Sequence, residues 1–122
     1  MTTHKVICSD PWFTYIKNGI KKVEGRRCTK VYASMKIGDV IEFINGKEGN
    51  EKDTIYALIT KINHYTGPTR IEKFLNIETL ERTLPGITSF EEGLKIYQNF
   101  WTPEEINKYD FLGIHIQLLP KL

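Results

Sequence analysis

The chain is short of cysteine, has no long apolar run, and carries almost no excess of charge, its formal net charge being +2. Each shortage excludes something. Two cysteines, Cys8 and Cys28, cannot build a disulfide framework. Cys8 lies in the apolar run Val6-Ile7-Cys8 and reads as a buried thiol. Cys28 stands among cations, the surroundings of a reactive thiol, but no partner for a Cys-His pair stands near it in sequence. The two cysteines and three histidines show no zinc-ligand spacing, so neither a metal nor a cofactor is expected. A bilayer span needs roughly 20 apolar residues, and without one no membrane partner is expected. The start, Met1-Thr2-Thr3-His4-Lys5, lacks the apolar core and cleavage site of a secretion signal. The expected location is therefore intracellular, in the cytoplasm. No linker, repeat or low-complexity tract divides the 122 residues. That length has room for one hydrophobic core, so residues 1–122 are read as a single domain.

What the chain does have is a local excess of positive charge. Between Lys17 and Lys36 stand Lys17, Lys21, Lys22, Arg26, Arg27, Lys30 and Lys36 against Glu24 alone, a net +6, so the remainder sums to −4. Such asymmetry attracts an anionic partner even when the whole protein is nearly neutral. Scattered cations on a solvated loop are the alternative.

Strand and helix signals alternate along the chain. His4 to Cys8 reads as a strand. Ser9-Asp10-Pro11 then opens a short helix, Pro11 to Asn18, with Trp12 and Ile16 one turn apart and both expected to be buried. Gly19 supplies its left-handed stop. If Ile20 to Arg27 is extended, Lys21 and Val23 face one way, Lys22 and Glu24 the other. Cys28 to Met35 is read as an irregular connection. Asp39 caps the turn before a strand from Val40 to Ile44, and the Gly- and Asn-rich stretch Asn45 to Asp53 makes a hairpin loop. The return strand, Thr54 to Asn63, contains Ile55-Tyr56-Ala57-Leu58-Ile59, apolar without alternation, as in a strand covered on both faces. Thr69, Ser89 and Thr102, each followed three residues later by glutamate, predict capping boxes. They open helices over Arg70 to Leu75, Phe90 to Phe100 and Pro103 to Tyr109, with a further helix from Ile77 to Leu84. A last strand runs from Phe111 to Leu118. The fold class expected is α+β: a small, mostly antiparallel β-barrel with helices over its ends.

One constellation concentrates the chemistry. Gly19-x-Lys21-Lys22-x-Glu24-x-Arg26-Arg27, preceded by Pro11-Trp12-Phe13, sets a carboxylate among ammonium and guanidinium groups. Lysine and arginine suit phosphates, and Glu24 can accept a hydrogen bond from an exocyclic amine or a ribose hydroxyl. Trp12 and Tyr15 can stack on a base. The competing reading puts Trp12 in the core and pairs Glu24 with Arg26 alone. Other polar residues weigh less: His64-Tyr65 lines a turn, His115 is a surface or satisfied histidine, and Glu72, Glu91 and Glu92 cap helices.

At these residues the sequence resembles the ASCH domains of the PUA-like superfamily. The resemblance is carried by Pro11-Trp12-Phe13, by Ile16 through Arg26, and by Ile37-Gly38-Asp39-Val40-Ile41-Glu42-Phe43. Leu84-Pro85-Gly86, Tyr97-x-x-Phe100 and Gly113-Ile114 resemble the tail of compact single-domain members. The resemblance implies a PUA-related barrel whose lysine-to-arginine motif lines a cleft for single-stranded RNA or a modified nucleoside. Trp12, Lys21, Lys22, Glu24, Arg26 and Arg27 are the binding residues it implies. Some small relatives are amidohydrolases that deacetylate acetylcytidine with a lysine and a threonine of this motif and a distant glutamate. Lys21 matches that lysine, but the threonine position carries Glu24. The expectation is therefore a binding domain. The alternatives are a hydrolase or ribonuclease, in which Lys21 and Glu24 would be catalytic, and an interaction module displaying Phe74, Leu75, Phe100 and Trp101.

Overall fold

Alternating burial along Thr3–Cys8 (β1) turns His4, Val6 and Cys8 inward. The computed structural model describes residues 1–120. After β1 come α1 (Trp12–Lys17), β2 (Val23–Arg27), a 3-10 turn (Lys30–Ser34), β3 (Val40–Asn45) and β4 (Thr54–Tyr65). Four helices follow, α2 (Arg70–Glu78), α3 (Leu80–Thr83), α4 (Phe90–Gln98) and α5 (Pro103–Lys108), and β5 (Phe111–Leu118) completes the sheet. No helix among the described residues is long and apolar enough to cross a membrane.

The five strands lie in the order β1-β3-β4-β5-β2. Three pairings are antiparallel; β1 and β3 run parallel because α1 and β2 lie between them in the chain. β1 and β2 are thus the two edges, yet residues of both line one cavity. The sheet curls until its edges face each other, a barrel left open along one seam. Full closure was the expectation. The inward side chains of β2, Glu24 and Arg26, are charged and stand at that seam in place of apolar packing.

Apolar side chains fill both faces of the curled sheet. Inside lie Val6, Phe13, Ile16, Ile41, Phe43, Ala57, Ile59, Leu112 and Ile114. Outside, α2 and α4 cover β2 and β5 through Val23, Tyr65, Leu75 and the edge-to-face rings of Phe74, Tyr97 and Phe111, whose centroids are 4.8 to 5.5 Å apart. Trp12 packs against both clusters, so they are two sides of one body. Gly25 is required beneath these rings, since a Cβ there would meet Phe74 Cζ at 2.6 Å.

Several local expectations change. In α1 the buried pair is Phe13 and Ile16, and Trp12 is only half-buried because its ring borders the seam. Ile55 to Ile59 does alternate: Ile55, Ala57 and Ile59 are buried while Tyr56 is exposed, so one face alone is covered. Of the three capping boxes, Thr102–Glu105 is complete, and Ser89 only accepts the Glu92 N–H. Thr69 makes no side-chain cap because its backbone (φ −110°, ψ 35°) is not in the extended region that a capping residue needs. Of the patch expected of an interaction module, Phe74 and Leu75 are core residues, Trp101 is half-buried and Phe100 is exposed.

The helix read from Ile77 to Leu84 is broken at Thr79. That residue has φ 71° and ψ 150°, a region that only glycine occupies readily, at a cost of about 1–3 kcal/mol for other residues. Hydrogen bonds overdetermine it: its N–H donates to Leu75 O, and its carbonyl accepts from Thr83 N and, at 2.7 Å, from Thr83 Oγ1. Its side chain is exposed. Thr79→Gly is therefore expected to raise the stability by about 1 kcal/mol, against the usual effect of glycine. Urea denaturation monitored by tryptophan fluorescence measures it, and a lower midpoint would deny that the corner is strained.

Candidate functional site

The open seam forms a cavity of about 220 Å³. Its floor is Lys21, Glu24, Gly25 and Arg26. Cys8 and Ser9 from the end of β1, Trp12 from α1, and Leu84, Tyr97 and Trp101 from the helical segment make the walls; Ile7 and Phe100 stand at the mouth. The structure thus gathers Trp12, Lys21, Glu24 and Arg26 at one place.

Lys21 precedes β2, and strand alternation does not govern its direction. Its side chain turns inward and is fully buried with Glu24, not opposite to it. The Nζ donates to Val23 O at 2.9 Å and to Thr83 O, and lies 3.6 Å from Glu24 Oε1. The ring of Trp12 lies 5.9 Å away. Burial pulls the Lys21 ammonium below the ordinary lysine range, and the attraction of Glu24 only partly opposes it.

Glu24 sits between two cations. Its Oε1 accepts the Gly25 N–H at 3.1 Å, and its Oε2 lies 3.6 Å from Arg26 NH2. Burial works against its charge, but Lys21, Arg26 and the Gly25 N–H together outweigh burial and hold the carboxyl below its usual range. Glu24 in turn raises the Arg26 pKa, so the guanidinium is fixed as a cation, lying 5.4 Å over the ring of Tyr32. The Nε of Arg26 has no hydrogen-bond partner among the described residues. Burial, with the nearby Glu24 charge, pushes the Tyr97 phenol up, so it remains a protonated donor. The floor is thus an ionised acceptor flanked by donors, walled by aromatic rings and desolvated.

Two residues implied by the motif lie elsewhere. Lys22 is exposed and borders a second, smaller cavity of about 140 Å³ with Ile16, Gly19, Ile116 and Gln117. Its backbone is engaged, with the N–H on Arg82 O and the carbonyl accepting from Ile116 N. Arg27 faces outward, because alternation in β2 sends it to the helical side; its guanidinium stacks 5.0 Å over Trp101 and 5.6 Å over Tyr109. Tyr15 is half-buried at α1, tilted against Trp12. Cys28 packs at the margin of the inner core and not in the cleft.

Sequence reasoning missed Cys8 and the helical walls as cleft residues. Cys8 ends β1 at the seam, where burial pushes its thiol up to about 12, so it is a neutral lining group. Leu84, Tyr97 and Phe100 belong to motifs quoted for the family resemblance, and their order was the available signal. It also missed Glu78, which is 1% exposed and buried behind the sheet. Glu78 Oε2 accepts from Asn63 Nδ2 at 2.8 Å and Tyr65 OH at 2.6 Å, and Oε1 lies 2.8 Å from His115 Nε2. This network resolves His115 as a satisfied histidine, and it anchors the corner from which Thr83 reaches Lys21.

Comparison with known proteins agrees with this geometry. The crystal structure of hypothetical protein PH0355 superposes with a TM-score of 0.81 at 30% identity, covering 97% of this chain and 100% of that one. The solution NMR structure of protein PF0455 from Pyrococcus furiosus gives a TM-score of 0.75 at 30% identity, covering 98% and 100%. No curated protein matches the chain. The family model of the ASCH domain matches residues 6–119, from within β1 to just past the end of β5. A match that includes both edges of the seam and the helices over it identifies the whole arrangement, and the chain belongs to the ASCH domain family of the PUA-like superfamily.

Proposed function

We propose that the cleft binds RNA or a nucleoside by taking in one base with its sugar. ASCH domains are linked in general to RNA and nucleoside binding, and one observation carries the reading here: the desolvated Lys21–Glu24–Arg26 floor under aromatic walls. Glu24 accepts from an exocyclic amine or a hydroxyl, while Arg26 keeps donors for a carbonyl or ring nitrogen. Trp12 and Tyr97 offer ring surface to the base. Pockets for drug-sized ligands start at roughly 300 Å³; a cavity of about 220 Å³ suits a single base and sugar better than a run of stacked bases.

Trp12 borders the cleft, so ligand titration is expected to change tryptophan emission. Arg26→Ala is expected to weaken binding at least tenfold, and Lys47→Ala, in the exposed hairpin loop, less than twofold. Equal losses in the two variants would mean diffuse attraction with no sited contact.

A hydrolytic reading rests on one feature, the lowered pKa of Lys21 beside Glu24, which favours a lysine able to act as base. Two backbone carbonyls and Glu24 already engage that Nζ, and Glu24 stands where the amidohydrolase pattern has its hydroxyl nucleophile. Little or no acetate release from acetylcytidine is expected. Turnover followed by chromatography and abolished by Lys21→Ala would make the chain an enzyme.

A further inference from the structure

We infer that Tyr32 is a positioning residue for the cleft: its ring holds the Arg26 guanidinium short of a hydrogen bond with Glu24, so that both groups stay available to a ligand. This rests on the reading of the cleft as a base site. Tyr32 stands outside the set of residues that line the cavity, and Arg26 is one of them. The chain brings the two together within six residues. After β2 it turns at Thr29, whose N–H donates to the Arg27 carbonyl at 2.8 Å, and passes through Lys30 at φ 53° into the 3-10 turn. Hydrogen bonds pin that turn. Tyr32 N–H donates to Thr29 O at 3.1 Å, Ser34 Oγ donates to Val31 O at 2.7 Å, and the buried Met35 donates its N–H to Tyr32 O at 3.3 Å. Cys28, Val31 and Tyr32 also pack against the inner core, which anchors the ring.

Arg26 has little else to direct it. Its contact with Glu24 Oε2, at 3.6 Å, is an ion pair longer than a hydrogen bond, and its Nε has no hydrogen-bond partner among the described residues. The centroid of the Tyr32 ring lies 5.4 Å from the guanidinium carbon, within cation–π range. Burial pushes the Tyr32 phenol above its ordinary value, so it stays neutral, and what it offers the cation is the ring. A carboxylate and a guanidinium that meet unopposed form charge-assisted hydrogen bonds of roughly 2.7–2.9 Å. Without the ring, Arg26 closes on Glu24, and the two satisfy each other instead of a base. The segment from Cys28 to Met35, an irregular connection by its sequence, thus sets the spacing of the cleft floor.

The test titrates the four ribonucleosides and acetylcytidine, read by tryptophan emission, against the full chain and its Tyr32→Phe, Tyr32→Leu, Tyr32→Met and Arg26→Ala variants. The double variant of Tyr32→Leu with Arg26→Ala completes a cycle, and each protein is checked by circular dichroism. Tyr32→Phe keeps the ring and is expected to bind within twofold of the wild type. Tyr32→Leu should weaken binding about fivefold. Tyr32→Met, which fills irregular space without a ring, should do the same and carries the test if the leucine variant fails to fold. In the Arg26→Ala background, Tyr32→Leu should cost less than twofold, because the ring acts through Arg26; a merely structural loss would appear equally in both backgrounds. Additive losses, a Tyr32→Phe as weak as Tyr32→Leu, or an unchanged Tyr32→Leu would each overturn the inference and leave the base site standing. A wild type that binds none of the five probes would remove the base site and the inference together.

Discussion

Glu24→Ala is expected to lower the folding stability by about 3 kcal/mol, the lower end of the range for removing one partner of a buried ion pair, and to abolish ligand binding. Without the carboxylate, the Lys21 ammonium stays buried with only the Val23 and Thr83 carbonyls as partners, and Arg26 repels it across the vacated space. The variant should also acquire a characteristic pH dependence. Burial already lowers the Lys21 pKa from its ordinary value, and removing Glu24 deletes the largest opposing influence. The unfolded chain then binds the proton more tightly than the folded one, so stability rises with pH up to the unfolded lysine value. Urea midpoints of Glu24→Ala should accordingly climb between neutral pH and pH 10 more steeply than those of the wild type. Lys21→Met combined with Glu24→Leu should recover most of the stability, because an apolar pair needs no solvation, while binding stays lost. A stable, pH-indifferent Glu24→Ala would mean that the pair contributes nothing to the fold.

Glu78→Ala should be nearly as damaging, at about 3 kcal/mol, because it strands the Tyr65 hydroxyl, the Asn63 amide and His115 together and opens a void against Gly113. The same carboxylate predicts acid sensitivity in the wild type. Burial disfavours its charge, but the Tyr65 and Asn63 hydrogen bonds and the neighbouring His115 together outweigh burial and hold it below the usual carboxylate range. A depressed folded pKa gives stability that is present above the unfolded value and lost as pH falls through the folded one. Wild-type stability should therefore decline below about pH 4.5, and Glu78→Gln should flatten that decline relative to the wild type. Urea midpoints from pH 3 to 6 measure the difference between the two slopes. Parallel curves would assign the acid loss to Asp39, which His4 and the Thr2 and Lys36 N–H groups pull down to about 2, or to Glu24.

These two carboxylates show what the sequence could and could not disclose. Glu24 was legible because its neighbours in the chain are its neighbours in space: Gly19, Lys21 and Arg26 mark the site within a few residues. Even there, the inward turn of Lys21 was not, since it follows from the Thr83 carbonyl 62 residues away. Glu78 falls at the second residue of the helix read from Ile77 to Leu84, and nothing in its local sequence singles it out. Its burial is imposed by Asn63 and Tyr65 on β4 and by His115 on β5, and no periodicity in α2 announces them. Strand positions survived well because Val, Ile and Phe alternate or cluster between turn residues. Closure of the sheet did not, because whether two edges meet depends on side chains packed between them. Arg27 was assigned to the cleft by its place in a motif, and strand alternation sent it to the opposite face.

The open seam also bears on how this protein behaves in a crowd. β1 and β2 each use one flank for a neighbouring strand, and on β2 the other flank is partly capped from within, the Val23 carbonyl by Lys21 Nζ and the Gly25 N–H by Glu24 Oε1. Such edges template aggregation unless they are blunted. On β1 the exposed residues are Thr3, Lys5 and Ile7, a charge set beside an apolar side chain. β2 is only five residues long and carries Glu24, Arg26 and Arg27, a run too short and too charged to template a long ladder. The groups that shape the cleft therefore double as gatekeepers, and a variant that made this groove greasier would trade solubility for a closed barrel.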